Sequence, residues 1–211
     1  MRQTISFCLS AGILALLPLI AGCLNLEKSF PEKRYFILDV PRHGNPHLRG
    51  EGAVLRVRKF HVSPRYREKG LVYRKGDLSY ESDFYNRFFI LPSSLITEEV
   101  SQWLASSGLF QHVVSAASHL ETTHVLEGAV NALFGDYSGK RSPKAVLEIQ
   151  FFLIRDISAR SKIVFQKIYR KEVVIEEGSP ELLVKGWNEA LRQILTDLEE
   201  DLGRVDIKKA S

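Results

Sequence analysis

From His124 to Glu176 the chain runs through three long apolar-rich segments separated by short polar turns, and no other feature restricts the fold as strongly. In HVLEGAVNALFGDY, Leu126, Val130, Ala132 and Phe134 are expected to share a face. In VLEIQFFLIRD, Leu147, Ile149, Phe151 and Leu153 stand on one side with Glu148, Gln150 and Phe152 opposite. KIVFQKIYRKEVVIE continues with mixed alternation. Three such strands in succession predict an antiparallel meander with one wet face. A covering helix follows at once: Ser179-Pro180-Glu181 supplies a capping serine, a proline for the first helical position and an acid for the first turn. Leu183, Trp187, Leu191, Ile194 and Leu198 then form an apolar stripe that ends at Gly203.

The upstream half is more broken. YFILDV reads as a short strand, PRHGNPHLRGEG as a loop, AVLRVRKFHV as β-rich, and LVYRKGDLSYES as two strands around a turn at Lys75-Gly76-Asp77. The aromatic segment DFYNRFFILP ends at Pro92, after which Leu95 or Ile96, Val100, Trp103 and Leu104 recur at helical spacing. Ser93 or Ser94 is the expected cap, Glu98 and Glu99 favour the positive end of the dipole, and Gly108 stops the helix. FQHVVS is one more candidate strand. The pattern predicts an α+β fold: a mostly antiparallel sheet covered by two amphipathic helices, an α/β sandwich.

The first 22 residues follow another logic. Arg2 precedes an uncharged run from Phe7 to Ile20, and Ala21 and Gly22 close it, which is the layout of a secretory signal. An uncleaved span of about 20 residues is the competing reading, but Pro18 would weaken its helix. Ile20-Ala21-Gly22-Cys23 looks like a bacterial lipobox. That resemblance implies that Cys23 is S-diacylglycerylated, freed by signal peptidase II and N-acylated, and several acyl chains together hold stably to a membrane. The residue after the cysteine is Leu24, not the Asp that retains such proteins in the inner membrane. The implied location is the periplasmic face of a Gram-negative outer membrane.

Cleavage would leave 189 residues (211 less 22) without a free thiol, since Cys8 is removed. The domain then folds without disulfides, on a core that a chain of this length can build. Residues 1–22 thus read as signal peptide, 23–34 as lipidated cysteine and tether, 35–203 as one domain and 204–211 as a solvated, flexible tail. Hydrophobic content of 45% and charged content of 26% are ordinary for a globular domain. The excess of basic over acidic residues is 4, or 3 once Arg2 is gone, too small to indicate a nucleic-acid partner.

Catalytic patterns are missing. The sequence holds no G-x-S-x-G elbow and no H-E-x-x-H, and its six histidines, His119 and His124 included, lack metal-ligand spacing. Gly135 to Ser142 resembles a phosphate loop, but its glycines are one residue too close, and Arg141 stands where a hydroxyl should follow the lysine. The expectation is therefore a protein with no enzymatic activity, no cofactor and no metal; an unrecognised enzyme would need a deep pocket with perturbed titratable groups. An aromatic cluster remains, in which Tyr73, Arg74, Tyr80, Asp83 and Tyr85 are the candidate partner surface. The same rings would serve equally to fill the edge of the core.

One series of motifs extends over almost the whole mature chain: Tyr35-Phe36-x-Leu38, LVYR at 71–74, Tyr80-x-x-Asp83-x-Tyr85 with Phe88 and Pro92, Trp103-Leu104 leading to Ser107-Gly108-Leu109-Phe110, Leu126-Glu127-Gly128, and Trp187-Asn188-x-Ala190-Leu191. In order and spacing it resembles the ABC-type transport auxiliary lipoproteins of the PqiC/YmbA kind. The resemblance implies an outer-membrane lipoprotein that docks an MCE/ABC-type intermembrane lipid transport system. Its partners would be an MCE-domain protein and inner-membrane transport components, with phospholipid and further copies of the chain as additional candidates. The alternative is a structural lipoprotein of another envelope machine, for secretion or polysaccharide export.

Overall fold

A computed structural model describes residues 31–47, 50–139, 142–157, 160–176 and 178–207. The chain divides after Glu32, and the unit Lys33–Ser211 carries all the described elements. Cys23 and the signal segment lie outside the described residues.

Three strands, β7 (His124–Asp136), β8 (Lys144–Ile157) and β9 (Arg160–Val174), form the expected antiparallel meander. Leu147, Ile149, Phe151 and Leu153 are fully buried on one face of β8, as their alternation requires. On β7 the expectation of one shared face fails. The register with β8 slips between Val130 and Ala132, because Asn131 is an extra residue in the ladder. Such an insertion exchanges the two faces. Leu126 and Val130 stand opposite the inward Leu153 and Ile149, whereas Ala132 stands opposite Glu148 and Phe134 opposite Val146. The Phe134 ring is covered on the outer face by Tyr66, stacked 5.9 Å away, and by Tyr80.

The other edge of β7 is lined by three short strands in a row: β2 (Val54–Val57), β3 (His61–Val62) and β4 (Gly70–Arg74), all parallel to it. The single β-rich run of the sequence is thus two strands. Beyond β2 lies β6 (His112–Ser115); beyond β4 lies β5 (Tyr80–Phe88), and beyond β5 lies β1 (Arg34–Phe36). Among the described residues the result is a mixed nine-stranded sheet. Five of its eight pairings are parallel, but the antiparallel ones carry the long registers.

Both helices of the described residues lie on the inner face. The second, α2 (Pro180–Leu202), begins as its sequence announces: Ser179 accepts a hydrogen bond from the Leu182 N–H, and Leu183, Trp187, Leu191, Ile194 and Leu198 are completely buried. Trp187 spans the sheet beneath it, with its ring 5.5 Å from Phe88 of β5 and its N–H donating to the Val146 carbonyl of β8 at 3.2 Å. The first, α1 (Pro92–Ser107), starts earlier than its serines suggest. Leu91 is the cap and Pro92 the first residue, so Ser93 and Ser94 lie inside the first turn. Proline suits that position because its missing N–H would have no helical partner there. Gly108 ends α1 with φ of 72°, a left-handed conformation that glycine adopts without strain. Gly128 leaves room for the Phe60 ring, which a Cβ there would meet at 2.3 Å. After α2 the chain stays packed as far as Ile207, which is buried.

Candidate interaction surface

The five residues singled out in the sequence divide between two faces of one hairpin. Arg74 and Tyr80 are cross-strand neighbours on the outer face. The Arg74 guanidinium donates to both carboxylate oxygens of Asp136, from Nε at 3.0 Å, and lies 5.3 Å from the Phe134 ring centroid. The hydrogen bonds from Arg74 hold the Asp136 carboxyl well below the usual range. Tyr73 points the other way and is buried, its ring 5.4 Å from that of Tyr137. Its hydroxyl donates to Asp83 at 2.9 Å. Burial, and then this bond to a carboxylate, raise the Tyr73 hydroxyl far above its ordinary pKa.

Asp83 does more than pair with Tyr73. Val72 of β4 stands opposite Ser82 and Gly70 opposite Arg87, so residues 83–86 of β5 bulge out of the ladder against Leu71 alone. The Asp83 carboxylate holds this bulge together by accepting from the Tyr85 N–H at 2.8 Å, the Asn86 N–H at 2.9 Å and the Asn86 side-chain amide at 2.8 Å. Partial burial opposes its ionisation, but the bonds from Asn86 and Tyr73 prevail and keep its pKa low. The bulge turns Phe84 and Tyr85 outward, with their rings in an edge contact at 5.2 Å.

Two further rings extend the surface. Tyr35 on β1 makes an edge contact with Phe89 at 6.2 Å, and Lys33 places its ammonium 4.4 Å from the centre of the Phe84 ring. Tyr35, Ile37, Phe84 and Phe89 are each more than half exposed. Apolar exposure gathered along one sheet edge in this way makes it the candidate contact surface of the domain. The sequence reading placed Phe84 in the aromatic cluster but chose only Tyr85 of this pair for the candidate surface, and it left out Phe89, Tyr35 and Ile37. The available signal was the Asp-Phe-Tyr-Asn run, where an aspartate two residues before an N–H it can accept favours a local turn over a straight ladder.

An enclosed carboxylate lies elsewhere. Glu199 of α2 accepts from Arg42 at 2.8 and 2.9 Å and from the Trp103 indole at 2.7 Å, and His47 Nε2 stands 2.8 Å from it. A cavity of about 320 Å³ opens here, lined also by His43 and Arg192. Burial works against the charge on Glu199, yet the bonds from Arg42 and Trp103 outweigh it and hold the pKa below the ordinary value. The group is an ionised clasp joining α1, α2 and the 42–47 loop, with little free acceptor capacity for proton transfer. His124 is buried with its Nε2 unpartnered by protein, and desolvation, then nearby Arg155, push it down to about 4. Among the described residues no group of three His, Cys, Asp or Glu side chains is placed to hold a metal ion.

The architecture defines an α+β class in which a mixed open sheet carries two helices on one face, and solved structures share it. A Xanthomonas campestris protein described by the family model DUF330 matches with a TM-score of 0.69 and 16% identity, over 78% of this chain and 92% of that one. A second structure, described as an uncharacterized protein, matches with a TM-score of 0.63 and 17% identity, over 81% and 99% of the two chains. At these identities the likeness is one of fold. No family model matches the sequence itself, and no curated protein matches it.

Proposed function

We propose that the protein is an outer-membrane lipoprotein that serves, without catalysis of its own, as the docking component of an MCE/ABC-type intermembrane lipid transport system. The observation that carries this reading is the motif series, which runs in order through the core of a fold shared with a DUF330 protein. Leu38, Leu71, Phe88, Trp103, Leu104, Leu109, Leu126, Trp187 and Leu191, drawn from every motif of the series, are all buried. The exposed aromatic surface beside β1 supports a role in contact, and the saturated Glu199 clasp supports a role without proton chemistry.

Crosslinking in intact cells, then purification and mass spectrometry of proteins and lipids, tests the proposal. Recovery of an MCE-domain protein with phospholipid is the expected result; recovery of secretion or polysaccharide-export components without either would overturn it. Cys23→Ser should leave an unlipidated, uncleaved precursor, and normal maturation of that variant would refute the anchor.

A further inference from the structure

Lys33, Tyr35 and Ile37 alternate along the chain with Arg34, Phe36 and Leu38. The second set turns inward: Arg34 pairs with Glu181 of α2, Phe36 packs against the core and Leu38 is buried. The first set turns outward, with Lys33 over Phe84 of the bulge and Tyr35 against Phe89 just past β5. Lys69 adds a cation, its ammonium donating to the Phe89 carbonyl at 2.8 Å. The surface is a run of rings fringed by lysines. Amphipathic aromatics and lysines whose stems lie along apolar surface are the side chains that settle at a membrane–water boundary.

Chain length names the occupant. Lys33 is ten positions after Cys23, and ten extended steps of chain reach at most about 36 Å. A lipid on Cys23 therefore keeps β1, and the rings on it, within that distance of the bilayer. Resting on the reading of Cys23 as lipidated, we infer that the face bearing Lys33, Tyr35, Ile37, Phe84 and Phe89 lies against the phospholipid headgroups of the anchoring membrane. The lipid tail tethers the domain and this face orients it. Lysine charge meets anionic headgroups, while the rings enter the boundary layer.

The mature lipidated chain has no free thiol, so single cysteines report their own surroundings. Full-length lipidated Phe84→Cys, Phe89→Cys and Ile168→Cys proteins, each carrying an environment-sensitive nitrobenzoxadiazole label, would be reconstituted in phosphatidylethanolamine–phosphatidylglycerol vesicles. All three positions are more than half exposed, and Ile168 is on β9, at the opposite sheet edge. Circular dichroism checks each fold. The expected result is a blue shift and loss of emission to brominated phospholipid at 84 and 89, with neither at 168. Solvent-like labels at 84 and 89 on protein that floats with the vesicles would overturn the face assignment while leaving the anchor intact. A blue shift without lipid quenching would also overturn it, since another protein copy would then cover the rings. Labelling of Cys23 in the unsubstituted protein would overturn both the anchor and the face.

Discussion

Two edge strands of the sheet, β1 and β9, meet the same physical problem in opposite ways. Each pairs on one side only among the described residues, β1 with β5 and β9 with β8. An unpaired edge invites another strand. The β9 edge is 15 residues long and exposes Ile163, Ile168 and Val174. Between them stand charges tied to neighbouring elements, Lys167 to Asp201, Lys171 to Asp197 and Arg170 to Glu148, with Arg170 also paired to Glu172 on β9 itself. Fixed cations of this kind discourage edge-to-edge pairing. The β1 edge has three residues, too few to template a strand, and its neighbour β5 is bulged. What it offers is side chains: rings, held outward. A long edge defended by charge and a short edge displaying aromatics show that apolar exposure alone does not locate a contact surface; its continuity does.

Trp187→Ala is the most severe way to break the comparison, because this side chain ties β5 on one side of the sheet to β8 on the other. Truncating a fully buried tryptophan costs about 3–5 kcal/mol, and urea denaturation should show both edges loosening in one transition. Glu199→Ala comes next and touches neither edge. It strands the buried Arg42 charge, for a loss of about 3 kcal/mol. The sign of the pH effect follows from the lowered pKa. The stability Glu199 contributes is fully present above the ordinary carboxyl value of 4.5 and is lost as pH falls through the lower folded value. The variant should lose this part of the acid dependence and keep the part that Asp83 and Asp136, also held low, contribute.

Asp83→Ala sharpens the comparison. It removes the acceptor that holds the bulge and leaves the buried Tyr73 hydroxyl unpaired, at about 1–3 kcal/mol. Hydrogen exchange should accelerate at residues 84–86 and stay unchanged along β9. The smallest stability effects belong to paired surface changes, Phe84→Ser with Tyr85→Ser and Ile163→Ser with Ile168→Ser, each within about 0.5 kcal/mol. Only the first pair should change the orientation of the anchored domain on vesicles; equal effects from both would remove the distinction between the edges.

Local chemistry determined a large part of this protein. The α2 cap at Ser179, its buried stripe and the inward face of β8 follow from periods of 3.6 and 2 that any chain with these residues would express. Tertiary structure decided what those periods cannot encode. Asn131 exchanges the faces of β7 because one inserted residue reverses every later side chain, and the alternation on either side of it reads the same. The parallel pairing of β2, β3 and β4 with β7 is not legible in the sequence, because the partner is distant along the chain and no turn residue names it. At the candidate surface, Tyr73, Arg74, Tyr80, Asp83 and Tyr85 were legible as an aromatic and charged cluster, but their division into support and display was not. Asp83 faces inward to four donors and Phe84 faces outward because the bulge in the β4–β5 ladder sets both directions at once, and Lys33 reaches Phe84 only through the pairing of β5 with the distant β1.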